Sequence, residues 1–168
     1  MRLFFALWPP REAADALHAW ARRLHRRTGG RAVRARNIHL TLAFLGEVDE
    51  ARVAELKRLP AWGERHALPI ERAGYWARNR ILWVGPEETP APAVALAARL
   101  RDLLAAWNYR TERQPFAAHV TLLRKAREPE EMPPLPQVDW PVQEFVLVRS
   151  QPLAEGSRYD VVERFPLA

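Results

Sequence analysis

Apolar residues change their period along this chain, and each change marks an element. Residues 2–8, Arg2-Leu3-Phe4-Phe5-Ala6-Leu7-Trp8, form a short apolar run that predicts a strand. Pro9 and Pro10 open a helix over about 11–28, where Ala14, Leu17, Ala21 and Leu24 recur at helical spacing. Gly29 and Gly30 stop it. A second apolar run predicts a strand over about 37–46, ending at Gly46. Val53, Leu56 and Leu59 place a short helix near 50–59. Residues 68–76 and 80–84 predict two strands, joined through Ala77-Arg78-Asn79 as a hairpin. Beyond Pro90 and Pro92, the residues Leu96, Leu100, Leu103 and Trp107 keep helical register to about Asn108. A strand over about 115–125 follows, then a charged, proline-rich loop at 126–138. Residues 142–149 and 158–165 predict two closing strands. This is an α+β order whose plan runs twice. No linker separates the halves, so residues 1–168 read as one domain of two lobes.

One tetrapeptide pattern recurs in matching places of the two halves. His39-Leu40-Thr41-Leu42 and His119-Val120-Thr121-Leu122 carry histidines 80 residues apart, each in a predicted strand. Side chains alternate faces along a strand, so His39 shares a face with Thr41, and His119 with Thr121. Two imidazoles and two hydroxyls are the parts needed to hold a phosphate and move protons on both sides of it. One such histidine in a half-buried strand would read as structural. Two copies at half-chain spacing are hard to obtain by accident. The remaining histidines lack this setting. His25 lies in a charged helix end, His18 on the same helix and His66 ahead of a strand, so all three are expected to face solvent.

Composition narrows the setting. With 48% hydrophobic and 27% charged residues, the chain is an ordinary soluble globular protein with enough length for a real core. It has no cysteine, which excludes disulfides and thiolate metal sites. The apolar start meets two prolines too soon for a signal peptide, and no run approaches membrane-spanning length. A cytoplasmic location without a membrane partner is therefore expected. The net charge is +6, and nearly all the positive charge is arginine. Arginine suits bidentate phosphate contacts, although an arginine-rich proteome would leave the same composition. No acidic residue lies within either motif, and a His-Glu-x-x-His helix is absent, so no metal is expected. A Gly-x-Ser-x-Gly elbow, a phosphate-binding Gly-x-x-x-x-Gly-Lys-Ser/Thr loop and a dinucleotide fingerprint are absent too, so no cofactor is expected.

The doubled His-x-Thr-x resembles the 2H phosphoesterase superfamily. More closely, the chain is similar to the RNA 2′,3′-cyclic phosphodiesterases, also called 2′-5′ RNA ligases. The resemblance runs through Arg2-Leu3-Phe4-Phe5-Ala6-Leu7, the first motif with Ala43-Phe44-Leu45-Gly46, residues 116–124 and the ending Arg164-Phe165-Pro166-Leu167. One departure is Ala118, where members of the family often carry proline. The resemblance implies a two-lobed, pseudo-symmetric fold: two antiparallel sheets facing a central cleft, with helices outside. It implies a metal-free, ATP-free hydrolysis of RNA or nucleotide 2′,3′-cyclic phosphate to 2′-phosphate by a monomer, with 2′-5′ ligation as the related joining reaction.

The residues are consistent with that chemistry. Opening a cyclic phosphodiester needs an activated water, a protonated leaving oxygen and stabilised phosphoryl charge. Histidine titrates near neutrality and can serve as base or acid. His39 is assigned as proton donor and His119 as proton acceptor, although motif symmetry does not say which is which. Thr41 and Thr121 can donate hydroxyl hydrogen bonds to the phosphate. The resemblance adds Arg124 as a phosphate ligand. Simple alternation puts Arg124 on the face opposite His119, so it reaches the cleft only if the strand ends or bulges near Leu123. Phe44 and Trp83 have the ring area to stack on a base, but read first as core. Two alternatives stay open: a non-catalytic RNA-end binding module, and a 2H enzyme acting on another small cyclic nucleotide.

Overall fold

The hydrophobic periods are realised as two four-stranded antiparallel sheets and three helices in a computed structural model that describes residues 1–168. The α+β expectation holds. The first sheet has the order β10-β9-β1-β3, formed by β1 (Arg2–Leu7), β3 (Leu40–Glu47), β9 (Glu144–Leu153) and β10 (Gly156–Pro166). The second has the order β2-β7-β6-β5, formed by β2 (Arg31–Ala32), β5 (Arg72–Trp76), β6 (Ile81–Gly85) and β7 (Val120–Arg124). A two-stranded ribbon pairs β4 (His66–Ala67) with β8 (Pro141–Val142).

The helices follow their sequence cues. α1 (Arg11–Thr28) starts after Pro10 and ends at Gly29, whose φ of 63° suits a residue without a side chain. It buries Leu17, Trp20, Ala21 and Leu24. α2 (Glu50–Lys57) buries Val53 and Leu56, and α3 (Ala91–Ala106) buries Leu96, Leu100 and Leu104. α1 leaves the first sheet yet packs against β2 and β7 of the second. α3 leaves the second sheet yet packs against β3 of the first. One cluster of 35 buried residues joins both halves, from Leu3, Phe5 and Leu42 to Leu82, Leu122 and Phe145.

Several predicted boundaries move. The expected strand 68–76 is interrupted by Pro69, which has no N–H for a ladder, and pairing resumes at Arg72. The first motif strand starts at Leu40, because Ala35–Asn37 forms a single 3-10 turn ahead of it. The second starts at Val120, since residues 115–119 are unpaired. The closing hairpin is longer than expected, with both strands running on to meet at a turn over 154–155.

Both motif strands carry the same irregularity. Along β3, Thr41 faces Ala6 and Ala43 faces Phe5, which leaves Leu42 as an extra residue. Along β7, Thr121 faces Trp83 and Leu123 faces Leu82, which leaves Leu122 extra. Each is a bulge one residue after the motif threonine, and a bulge reverses the face presented by the residues beyond it. Burial in both strands accordingly runs buried, half-buried, buried, buried, exposed. The exposed fifth position is Phe44 in one strand and Arg124 in the other.

Candidate active site

The two sheets enclose a cavity of about 760 Å³, and all five residues singled out in the sequence line it: His39, Thr41, His119, Thr121 and Arg124. Arg124 gets there through the bulge at Leu122, which returns its side chain to the face of Thr121.

Both histidines are held in the same way. Each sits one residue ahead of its strand, where the backbone carbonyl two residues upstream is free of the ladder. His39 Nδ1 donates to the Asn37 carbonyl at 2.7 Å, and His119 Nδ1 donates to the Ala117 carbonyl at 3.1 Å. A carbonyl only accepts, so these bonds place the proton on Nδ1 and leave Nε2 for the cavity. At His39 the Thr41 hydroxyl lies 3.2 Å from Nε2. Asn37 is itself tied down, since its side-chain amide donates to the Ser157 carbonyl at 2.8 Å. Beside His119, the Ala118 amide donates to Thr89 Oγ1 at 3.2 Å, a bond that proline at this position could not make.

The surroundings break the symmetry. His39 is stacked on Trp8, with ring centres 4.8 Å apart and planes at 14°. Phe4 at 5.0 Å and Tyr159 at 5.2 Å close the box. Burial among these rings is the main reason that the His39 pKa falls from 6.5 to about 4. The hydrogen bond to Asn37 opposes the fall, while the positive charge of Arg124 and the neighbouring His119 add to it. His119 has one aromatic neighbour, Trp76, at 4.7 Å and edge-on.

The cavity lining carries more positive than negative charge. Arg31 and Arg34 line it with Arg124, and Arg31 is the direct cross-strand partner of Arg124. Like charges facing across a ladder repel. None of the three appears in an ion pair; the arginines that do are Arg11, Arg52, Arg101, Arg158 and Arg164. Glu155 is the only acidic side chain in the lining. No three His, Cys, Asp or Glu side chains cluster as a metal site, and no helix is long and apolar enough to cross a membrane.

Sequence reasoning missed Trp8, Tyr159, Trp76, Asn37, Arg31 and Arg34. Asn37 alone carried a local signal, standing two residues before the motif histidine. Trp83 is buried, as its core reading expects. Phe44 is exposed outside the cavity, with the Arg2 guanidinium 5.0 Å from its ring centre.

The chain is similar to known proteins over nearly its whole length. The LigT like Phosphoesterase family profile matches residues 7–83. The chain is 36% identical to an RNA 2′,3′-cyclic phosphodiesterase of Escherichia coli strain K12, over 99% of this chain and 96% of that protein. It is 34% identical to an RNA 2′,3′-cyclic phosphodiesterase of Thermus thermophilus, over 99% and 90%. The crystal structure of E. coli LigT complexed with 3′-AMP superposes with a TM-score of 0.89 at 34% identity, covering 99% of this chain and 98% of that one.

Proposed function

This chain belongs to the LigT-like phosphoesterase family, and from that premise we propose that it hydrolyses the 2′,3′-cyclic phosphate of RNA or nucleotide ends to a 2′-phosphate. The observation that carries the proposal is the pair of Nε2 atoms left to one cavity by two Nδ1–carbonyl bonds. In the forward reaction a water oxygen attacks phosphorus and its proton passes to His119 Nε2. The P–O3′ bond breaks, and His39 Nε2 gives its proton to the leaving O3′. The Thr41 and Thr121 hydroxyls and the Arg124 guanidinium hold the non-bridging oxygens as charge builds on them. In the same direction, with the 5′-hydroxyl of a second strand end attacking phosphorus in place of water, its proton passing to the base and O3′ leaving as before, the same groups make a 2′-5′ linkage. One chain supplies every group, so the reaction needs no second subunit.

One observation favours exchanging the two roles. His39 is neutral at pH 7, because its pKa lies at about 4. A neutral ring is ready to act as base. To act as acid it must gain its proton with the substrate, whose negative charge counteracts the burial. A substrate with an activated leaving group, taken up in the Discussion, separates the two assignments.

The activity itself is tested by incubating a 2′,3′-cyclic phosphate substrate with the protein in EDTA, without nucleotide triphosphate, and reading the product position by phosphorus NMR. Turnover to the 2′-phosphate is expected. No turnover, or turnover lost to EDTA and restored by a divalent ion, overturns the proposal.

A further inference from the structure

A cyclic phosphate end carries a nucleobase as well as a phosphate, and the cleft must place that ring somewhere. The aromatic groups around His39 are already used. Trp8 gives a face to the His39 ring, and Phe4 and Tyr159 pack against both. The other side of the cleft differs. Among the large apolar side chains left strongly exposed, which are Phe44, Trp76, Val94, Met132, Leu153 and Val161, only Trp76 lines the cavity.

Trp76 is also firmly supported. Its ring rests 5.2 Å from that of Trp83, tilted by 33°. Trp83 is buried, paired across the ladder with Gly74 on one side and Thr121 on the other. Gly74 is needed there, because a Cβ at that position would fall 2.3 Å from the Trp83 ring. The Arg72 guanidinium lies 5.2 Å from the centre of the Trp83 ring. Arg72, Trp83 and Trp76 thus form a stack that ends at the cavity, with His119 4.7 Å from the outermost ring.

We infer that Trp76 is the platform on which the base of the terminal nucleotide stacks, which sets the attached ribose phosphate beside His119. Every base has a π-face, so such a platform holds purine and pyrimidine ends alike. Its role is to favour nucleotide ends over cyclic phosphates that lack a base. The inference rests on the cyclic phosphodiesterase reading above.

The test compares kcat/KM for adenosine 2′,3′-cyclic phosphate with kcat/KM for the 2′,3′-cyclic phosphate of an abasic ribose. Both substrates meet the same histidines, so any disturbance of His119 cancels in the ratio. Trp76→Ala should lower the ratio by about 5- to 150-fold, the usual worth of one stacked base. Trp76→Phe, which keeps an aromatic face, should retain most of it. A ratio unchanged in Trp76→Ala, or a Phe variant as poor as Ala, overturns the inference. Should the wild-type protein turn over neither substrate, the activity reading fails by itself. Calorimetric titration with adenosine 2′-monophosphate then decides the platform: equal affinity for wild type and Trp76→Ala rejects it, and a loss of the same size upholds it.

Discussion

Acidification should weaken this fold through one side chain, His39. In the native chain its imidazole titrates at about 4, against 6.5 for an ordinary histidine, chiefly because Phe4, Trp8 and Tyr159 exclude water from it. Between these values the unfolded chain binds the proton and the folded chain does not. Stability from this group is therefore complete above about pH 6.5, falls as the pH drops, and is gone below about pH 4. At about 1.36 kcal/mol per tenfold change in proton affinity, the whole gap is about 3 kcal/mol. That is a large part of the ~5–15 kcal/mol that holds a domain folded. The assay is urea unfolding at pH 7 and pH 4.5, on wild type and on His39→Gln, which cannot titrate. Wild type should lose about 2–3 kcal/mol more than the variant. Histidine NMR supplies the second reading. Trp8→Ala should move the His39 midpoint upward, but not all the way, because Phe4 and Tyr159 remain. Equal acid sensitivity in wild type and variant, or a His39 midpoint near 6.5 in the wild type, would refute the reasoning. A midpoint unmoved by Trp8→Ala would show that the rings are not the cause.

Other outcomes follow from the same geometry. His39→Ala and His119→Ala should each lose roughly 10²–10⁴ in rate with circular dichroism unchanged, and Thr41→Ala or Thr121→Ala about 10- to 10³-fold. On a nucleoside phosphodiester with a nitrophenolate leaving group, which needs no acid, His39→Ala should recover much of its rate and His119→Ala should not; the opposite rescue exchanges their roles. Gly30→Ala should lower the melting temperature at a cost of at least about 1–2 kcal/mol. Gly30 has a φ of +84°, and a Cβ there would meet the Arg124 carbonyl oxygen at 2.4 Å. An unchanged melting curve would contradict that geometry.

Alternation along a strand is a local rule, so it was legible that each motif histidine shares a face with its threonine; that the two motifs meet across one cleft was implied by the family resemblance. Arg124 shows where a local rule needs help. Its face depends on the bulge at Leu122, which is defined by pairing with Leu82 and Trp83 some 40 residues earlier in the chain. The α1 boundaries were legible because prolines and glycines bracket an unbroken helical period. The strand expected over 68–76 was not, since its apolar run continues through Pro69 while its hydrogen-bond ladder cannot. The unequal treatment of the two histidines was the least visible feature. Trp8 comes from the end of β1, Tyr159 from β10 and Trp76 from β5, so no window of sequence holds any histidine together with its aromatic neighbours. Two identical motifs thus acquire different environments only when distant strands are laid beside them.

The order of strands also sets the order in which the chain can fold as it is made. Every strand of the second sheet lies between Arg31 and Arg124, so all of them are made before β9 and β10. The first sheet needs both. Its inner strand, Arg2–Leu7, precedes every other strand in the chain, yet one of its two partners begins only at Glu144. Until that partner emerges, the strand carrying Phe4 and Phe5 has an open edge, a hazard for misassociation on the ribosome. The lobe that boxes in His39 is begun first and closed last, so His39 lacks its Tyr159 neighbour until β10 has been made.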